Sequence, residues 1–98
     1  MTTCTEIAIF KVPKANLEQV IALSFSIVDE INADGKIILT HEILQKTNNA
    51  EEICWSLTWI NQQAVALSAE KWATYPSTKA LESLVADKVY YGHFVSLF

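Results

Sequence analysis

Apolar positions along the chain change their period from two to about 3.6 and back, and these changes divide it into six elements. "EIAIFKV", residues 6–12, is β-branched and aromatic and is closed by Pro13, which predicts a first strand. "NLEQVIALSFSIVDEIN" sets Leu17, Val20, Ile21, Ser24, Val28 and Ile31 at helical spacing, with Asn16 as N-cap, Gln19 at the capping-box position and "NADG" as the stop. Residues 36–46 and 51–60 read as two strands around "TNNA", whose asparagines tolerate the positive φ of a hairpin turn. Asn61 can cap a second helix that runs to Ala73, is broken by Pro76 and resumes in "STKALESLVA". "KVYYGHFVSLF" predicts a last strand reaching Phe98.

The order βαββαβ with right-handed crossovers predicts an α+β, ferredoxin-like domain over residues 1–98, a four-stranded antiparallel sheet with both helices on one face. A half-exposed sheet would alternate apolar and polar residues, and these strands do not. Ile7 and Ile9 oppose Ala8, Phe10 and Val12 in the first strand; Tyr91, Val95 and Leu97 oppose Tyr90, Phe94 and Phe98 in the last. Something must cover the second face. A second copy of the sheet does so economically, giving a homodimeric α+β barrel with a cavity between the sheets and an interface on the order of 1,000 Å² per chain.

An even hairpin loop pairs Leu44 with Ile53, Glu42 with Trp55, Thr40 with Leu57 and Ile38 with Trp59 on one face. The small Cys54, Ser56 and Thr58 then suit close helix packing, and Ile53, Trp55, Leu57 and Trp59 line the space between sheets, with Trp72 apart from them on the second helix. An odd loop would bring His41 to the tryptophan side instead.

Composition narrows the chemistry. The chain of 98 residues is 51% hydrophobic and carries seven lysines, no arginine and eleven acids, for a net charge of −4. A basic face for nucleic acid and a guanidinium fork for phosphate are both missing. With glycine only at positions 35 and 92, no loop has the glycine-rich pattern that cradles a nucleotide phosphate. Cys4 and Cys54 lack a CxxC or histidine neighbour and read as small buried residues. No apolar run is long enough to span a membrane, and the N-terminus lacks the pattern of a signal peptide, so a cytoplasmic location is expected.

"VPK" with Glu18 soon after the first strand, then a tryptophan closing the third strand in "WINQQA", resembles the antibiotic-biosynthesis monooxygenase group of dimeric α+β barrels. The resemblance implies cofactor-independent oxygenation of a small aromatic or polycyclic compound, in which the pocket deprotonates an acidic substrate and the anion reacts with O₂. It departs from the haem-degrading branch, which needs an asparagine in the first strand and a histidine on the second helix. Here Ala8 and Phe10 occupy the strand, no histidine lies between Ile43 and Gly92, and Trp72 or Thr78 stands near the helix position. No cofactor and no metal are expected. Glu42, His41 and His93 are the candidate acid-base groups, and Phe10, Trp55, Leu57 and Trp59 the candidate ligand-binding wall. Trp55 and Trp59 read equally well as dimer core, Tyr90 and Tyr91 as pocket or subunit seal, and the histidines as ordinary strand residues. The rival to an enzyme is therefore a non-catalytic barrel that binds a small apolar ligand or serves as a structural dimer.

Overall fold

The computed structural model describes residues 2–97. Strand β1 (Cys4–Lys11) leads through Pro13 and a single 3-10 turn into helix α1 (Leu17–Ile31). The hairpin β2 (Ile38–Lys46) and β3 (Asn49–Trp59) follows, then α2 (Gln62–Lys71), a 3-10 turn (Trp72–Thr74), α3 (Thr78–Leu84) and β4 (Asp87–Val95). The sheet is antiparallel throughout, in the order β2-β3-β1-β4, which is the ferredoxin-like arrangement. The expected break at Pro76 separates α2 from α3, and β4 stops at Val95; the Phe98 end of the predicted last strand lies outside the described residues.

Local signals act through particular side chains. Asn61 caps α2 as expected, its Oδ1 accepting from Ala64 N at 2.7 Å. Asn16 does not cap α1: the preceding 3-10 turn takes up the chain entry, and its Nδ2 donates instead to the Leu84 carbonyl at 3.2 Å, tying the start of α1 to the end of α3. After α1, Asn32 Oδ1 accepts from Ile37 N and Ile38 N at 3.0 and 2.9 Å, and Gly35 supplies the positive φ of 154° that this turn requires.

The hairpin explains a change of facing. Its tip is an even, two-residue loop, with Lys46 opposite Asn49. The register then slips between Lys46 and Gln45, so Gln45 faces Ile53, Ile43 faces Trp55, His41 faces Leu57 and Glu42 faces Ser56. A second irregularity between Ile38 and Thr40 restores Ile38 to Trp59. The predicted pairs Leu44–Ile53, Glu42–Trp55 and Thr40–Leu57 are thus each displaced by one residue.

The layer beneath the helices is also the reverse of the expected one. Ile53, Trp55, Leu57 and Trp59 are buried with Cys4, Ala8 and Phe10 against Val20, Ile27, Val28 and Ile31 of α1. Trp55 Nε1 donates to Ser24 Oγ of α1 at 3.0 Å. Size matching is the reason. The inner positions of the helices include the small buried Ser24, Ala64 and Ser68, so the large residues belong to the sheet and fill the space the helices leave. Cys54, Ser56 and Thr58 face the other way and are only partly buried; Cys4 alone of the cysteines is buried.

Candidate active site

The reversal redistributes the candidates. Phe10, Trp55 and Leu57 lie beneath the helices and not between two sheets: Phe10 packs edge-on to Trp55 at 5.7 Å, and Leu57 is 3% exposed. Trp72 is not apart from them, because the turn after α2 brings its ring to 6.5 Å from Trp55, where its Nε1 donates to Glu82 Oε1 at 3.1 Å. Glu42 sits opposite Ser56, exposed on the uncovered face of the sheet, so the register slip takes it away from the tryptophans. His41 takes the inward phase, with its ring edge-on to Phe25 of α1 at 5.3 Å.

His93 and Trp59 do come together, on a residue the sequence reading passed over. Glu6 of β1 pairs with Leu57 on one side and His93 on the other. Its carboxylate is 5% exposed. Oε1 accepts from Trp59 Nε1 at 3.2 Å and lies 3.3 Å from His93 Nε2. Tyr91, two residues along β4, stands edge-on to the His93 ring at 4.9 Å and is 62% exposed. Because β4 is an edge strand, the site is buried at Glu6 and open at Tyr91. The signal for Glu6 was its phase, since it shares the alternate positions of Ala8 and Phe10, where a lone acid is out of keeping with an apolar row.

Burial is the largest influence on Glu6 and raises its pKa above the ordinary 4.5, while the neighbouring His93 and the hydrogen bonds from His93 and Trp59 pull it partly back. A carboxyl whose folded pKa is raised binds more protons in the native state, so stability falls as pH climbs from about 4.5 through the raised value. Glu6→Gln removes the charge and keeps the shape. It is expected to raise the melting temperature at pH 7 and to flatten the pH dependence of stability above pH 4.5, read by thermal denaturation at a series of pH values.

The arrangement can do acid-base chemistry. If Nε2–H donates to Glu6, Nδ1 is the basic nitrogen, and the carboxylate stabilises the imidazolium that forms. Among the described residues, no group of three His, Cys, Asp or Glu side chains is placed to hold a metal ion, and no helix is long and apolar enough to cross a membrane.

No protein-family model and no curated protein matches the chain by sequence. Solved structures match its fold over nearly its full length. The "putative antibiotic biosynthesis monooxygenase" of Caulobacter crescentus CB15 superposes with a TM-score of 0.82 at 9% identity, covering 99% of this chain and 92% of that one. The protein of the same description from Nitrosomonas europaea gives 0.79 at 10% identity, with 98% and 91% covered. SnoaB of Streptomyces nogalater, a cofactor-independent oxygenase, gives 0.73 at 18% identity, with 98% and 94% covered. The chain therefore has the fold of the antibiotic-biosynthesis-monooxygenase-like proteins.

Proposed function

We propose that the chain is a cofactor-independent monooxygenase acting on a small aromatic or polycyclic compound at the face formed by Glu6, His93 and Trp59. The observation that carries this reading is the buried Glu6 carboxylate, held between an indole N–H and an imidazole beside an exposed tyrosine ring. Keeping a carboxylate out of water costs free energy that an apolar residue would avoid, and a role in proton transfer accounts for that cost. The fold shared with SnoaB adds the reaction type.

His93 Nδ1 takes a proton from an acidic CH₂ of the substrate, and Glu6 balances the imidazolium. The electron-rich carbanion reduces O₂, a C–O bond forms, and O–O cleavage with loss of the second hydrogen leaves a carbonyl. The balance is CH₂ + O₂ → C=O + H₂O, with the four electrons supplied by the carbon. Tyr91 offers a flat surface for a flat substrate. Oxygen-electrode assays with a panel of anthrone-like and phenolic compounds, with ¹⁸O₂ traced into the product, test the reading. Substrate-dependent uptake that needs no added flavin, haem or metal supports it, while binding without uptake favours the non-catalytic barrel.

The partner we infer is a second copy of the chain. The molecule is only 17 Å across its shortest axis, one helix layer on one sheet, and the sheet's other face carries Ile7, Ile9, Leu44, Tyr90 and Phe94. Four strands of about eight residues present roughly 500 Å² before side-chain relief is counted, about three-fifths of the roughly 800 Å² that each partner buries in a standard complex, and the relief of the aromatic side chains adds to it. Tyr90 lies flat over Gly92, its hydroxyl 2.6 Å from where a Cβ would stand, and stacks on Phe94 at 6.5 Å. Gly92→Val must lift that ring out of the sheet plane. Sedimentation velocity is expected to show a wild-type dimer at micromolar concentration and at least tenfold weaker association of the variant; a monomeric wild type refutes the pairing.

A further inference from the structure

A cavity of about 330 Å³ opens between the C-terminal end of α1, the turn that follows it, and α2. It is separate from the Glu6 site and shares no lining residue with it. Its floor is apolar. Ile37 and Ile60, joined by the Ile60 N–H donating to the Ile37 carbonyl at 2.9 Å, meet Ile31 and Ala64 there. One wall is Leu67, which is 52% exposed and so keeps apolar surface unfilled in a concave place.

The cavity also holds a hydroxyl pair. Ser68 of α2 is 4% exposed, and its Oγ lies 3.2 Å from the Tyr75 hydroxyl, both lining the space. Two hydroxyls carry two protons, and one hydrogen bond uses one of them. Whichever oxygen donates, the other keeps an O–H with no acceptor among the described residues. A spare donor beside an apolar floor suits a ligand that brings an acceptor together with apolar surface. Solvent reaches the open side of the cavity, so a ligand oxygen there takes the place of a water, and the gain comes from the apolar floor covered at the same time.

Charge restricts the occupant further. Glu30, Asp34 and Lys71 line the cavity, so carboxylates outnumber ammonium groups two to one. Glu30 is committed to α3, accepting from Ser77 N at 2.9 Å and from Ser77 Oγ. An anionic ligand would meet net negative charge, and a neutral one would meet apolar floor and a hydrogen-bond donor.

We propose that this cavity is a binding site for a small neutral apolar molecule carrying one carbonyl-type oxygen. The oxygen accepts the spare hydroxyl proton of the Ser68–Tyr75 pair, and the apolar body covers Leu67, Ile37 and Ile60. The size is at the lower end of ligand pockets, which suits a single substituted ring. The site stands independently of the oxygenase reading.

The test is a titration of the full chain with acetophenone, ethylbenzene and benzoate, followed by ¹H–¹⁵N correlation spectra. Acetophenone is expected to shift the amides of Ile31, Ile60 and Leu67, and to bind at least tenfold more tightly than ethylbenzene. Benzoate is expected to leave those amides unmoved. Ser68→Ala with Tyr75→Phe removes both hydroxyls and keeps the ring, and is expected to bring acetophenone down to the affinity of ethylbenzene. Tyr75→Phe alone serves if the double variant does not fold, with a loss of at least threefold. His93→Ala is expected to leave acetophenone binding unchanged, which separates this site from the oxygenase site. Equal affinity for acetophenone and ethylbenzene, shifts mapping elsewhere, binding of benzoate, or no response to any of the three overturns the proposal.

Discussion

Replacing Trp55 by alanine is expected to lower folding stability by about 3–5 kcal/mol, the range for truncating a buried aromatic. The indole is 6% exposed, lies edge-on to Phe10 and near Trp72, and donates to Ser24, so its removal takes away ring contacts and a buried hydrogen bond together. For a domain whose total stability is on the order of 5–15 kcal/mol, that is a loss of a fifth or more. Urea unfolding followed by far-UV circular dichroism measures it. Ser24→Ala makes a useful companion. It keeps the packing but strands the indole N–H, and is expected to cost about 1–3 kcal/mol. A Trp55→Ala variant within 1 kcal/mol of wild type would be the behaviour of a residue lining an open, solvated space, and would return Trp55 to the gap between two sheets.

Which parts of this molecule could be read from the chain follows from the range over which each is decided. Element order depends on local periodicity and on Pro13, Asn61 and Pro76, all within a few residues of what they control, and the strand order follows from connection rules. Strand facing is not local. The loop between Lys46 and Asn49 has the expected even length, yet irregularities at its base and at Leu39 shift the pairs between them by one residue. One residue is enough to move Glu42 to the far face and His41 to the near one. The layer choice needed information from both partners: the small residues of β3 suggested close helix approach only until Ser24, Ala64 and Ser68 took that role on the helices. Glu6 was readable in principle. Its phase with Ala8 and Phe10 marks a buried acid, but nothing in the sequence between positions 6 and 93 announces that β4 returns a histidine beside it.

Substituting His93 by alanine is expected to lower the rate of substrate-dependent oxygen uptake by about 10²–10⁴-fold, the usual contribution of a positioned acid-base group. Glu6 tests a different link. It acts on His93 and on the Trp59 indole, so its removal should be felt through them. Glu6→Gln keeps the volume and leaves an oxygen for the Trp59 N–H, but it no longer balances an imidazolium or fixes the nitrogen that carries the proton. The expected result is a loss smaller than that of His93→Ala, expressed in kcat more than in KM, with a displaced pH profile. Glu6→Asp, one methylene shorter with its charge intact, should recover part of the rate. That split separates a positioning role from a structural one, because Glu6→Gln is also expected to be the more stable protein at neutral pH. Loss of charge would then cost activity while it strengthens the fold, the pattern of a group retained for chemistry at the expense of stability. Full oxygen uptake by His93→Ala, or Glu6→Gln turning over at the wild-type rate with an unshifted pH profile, would remove the pair from the reaction.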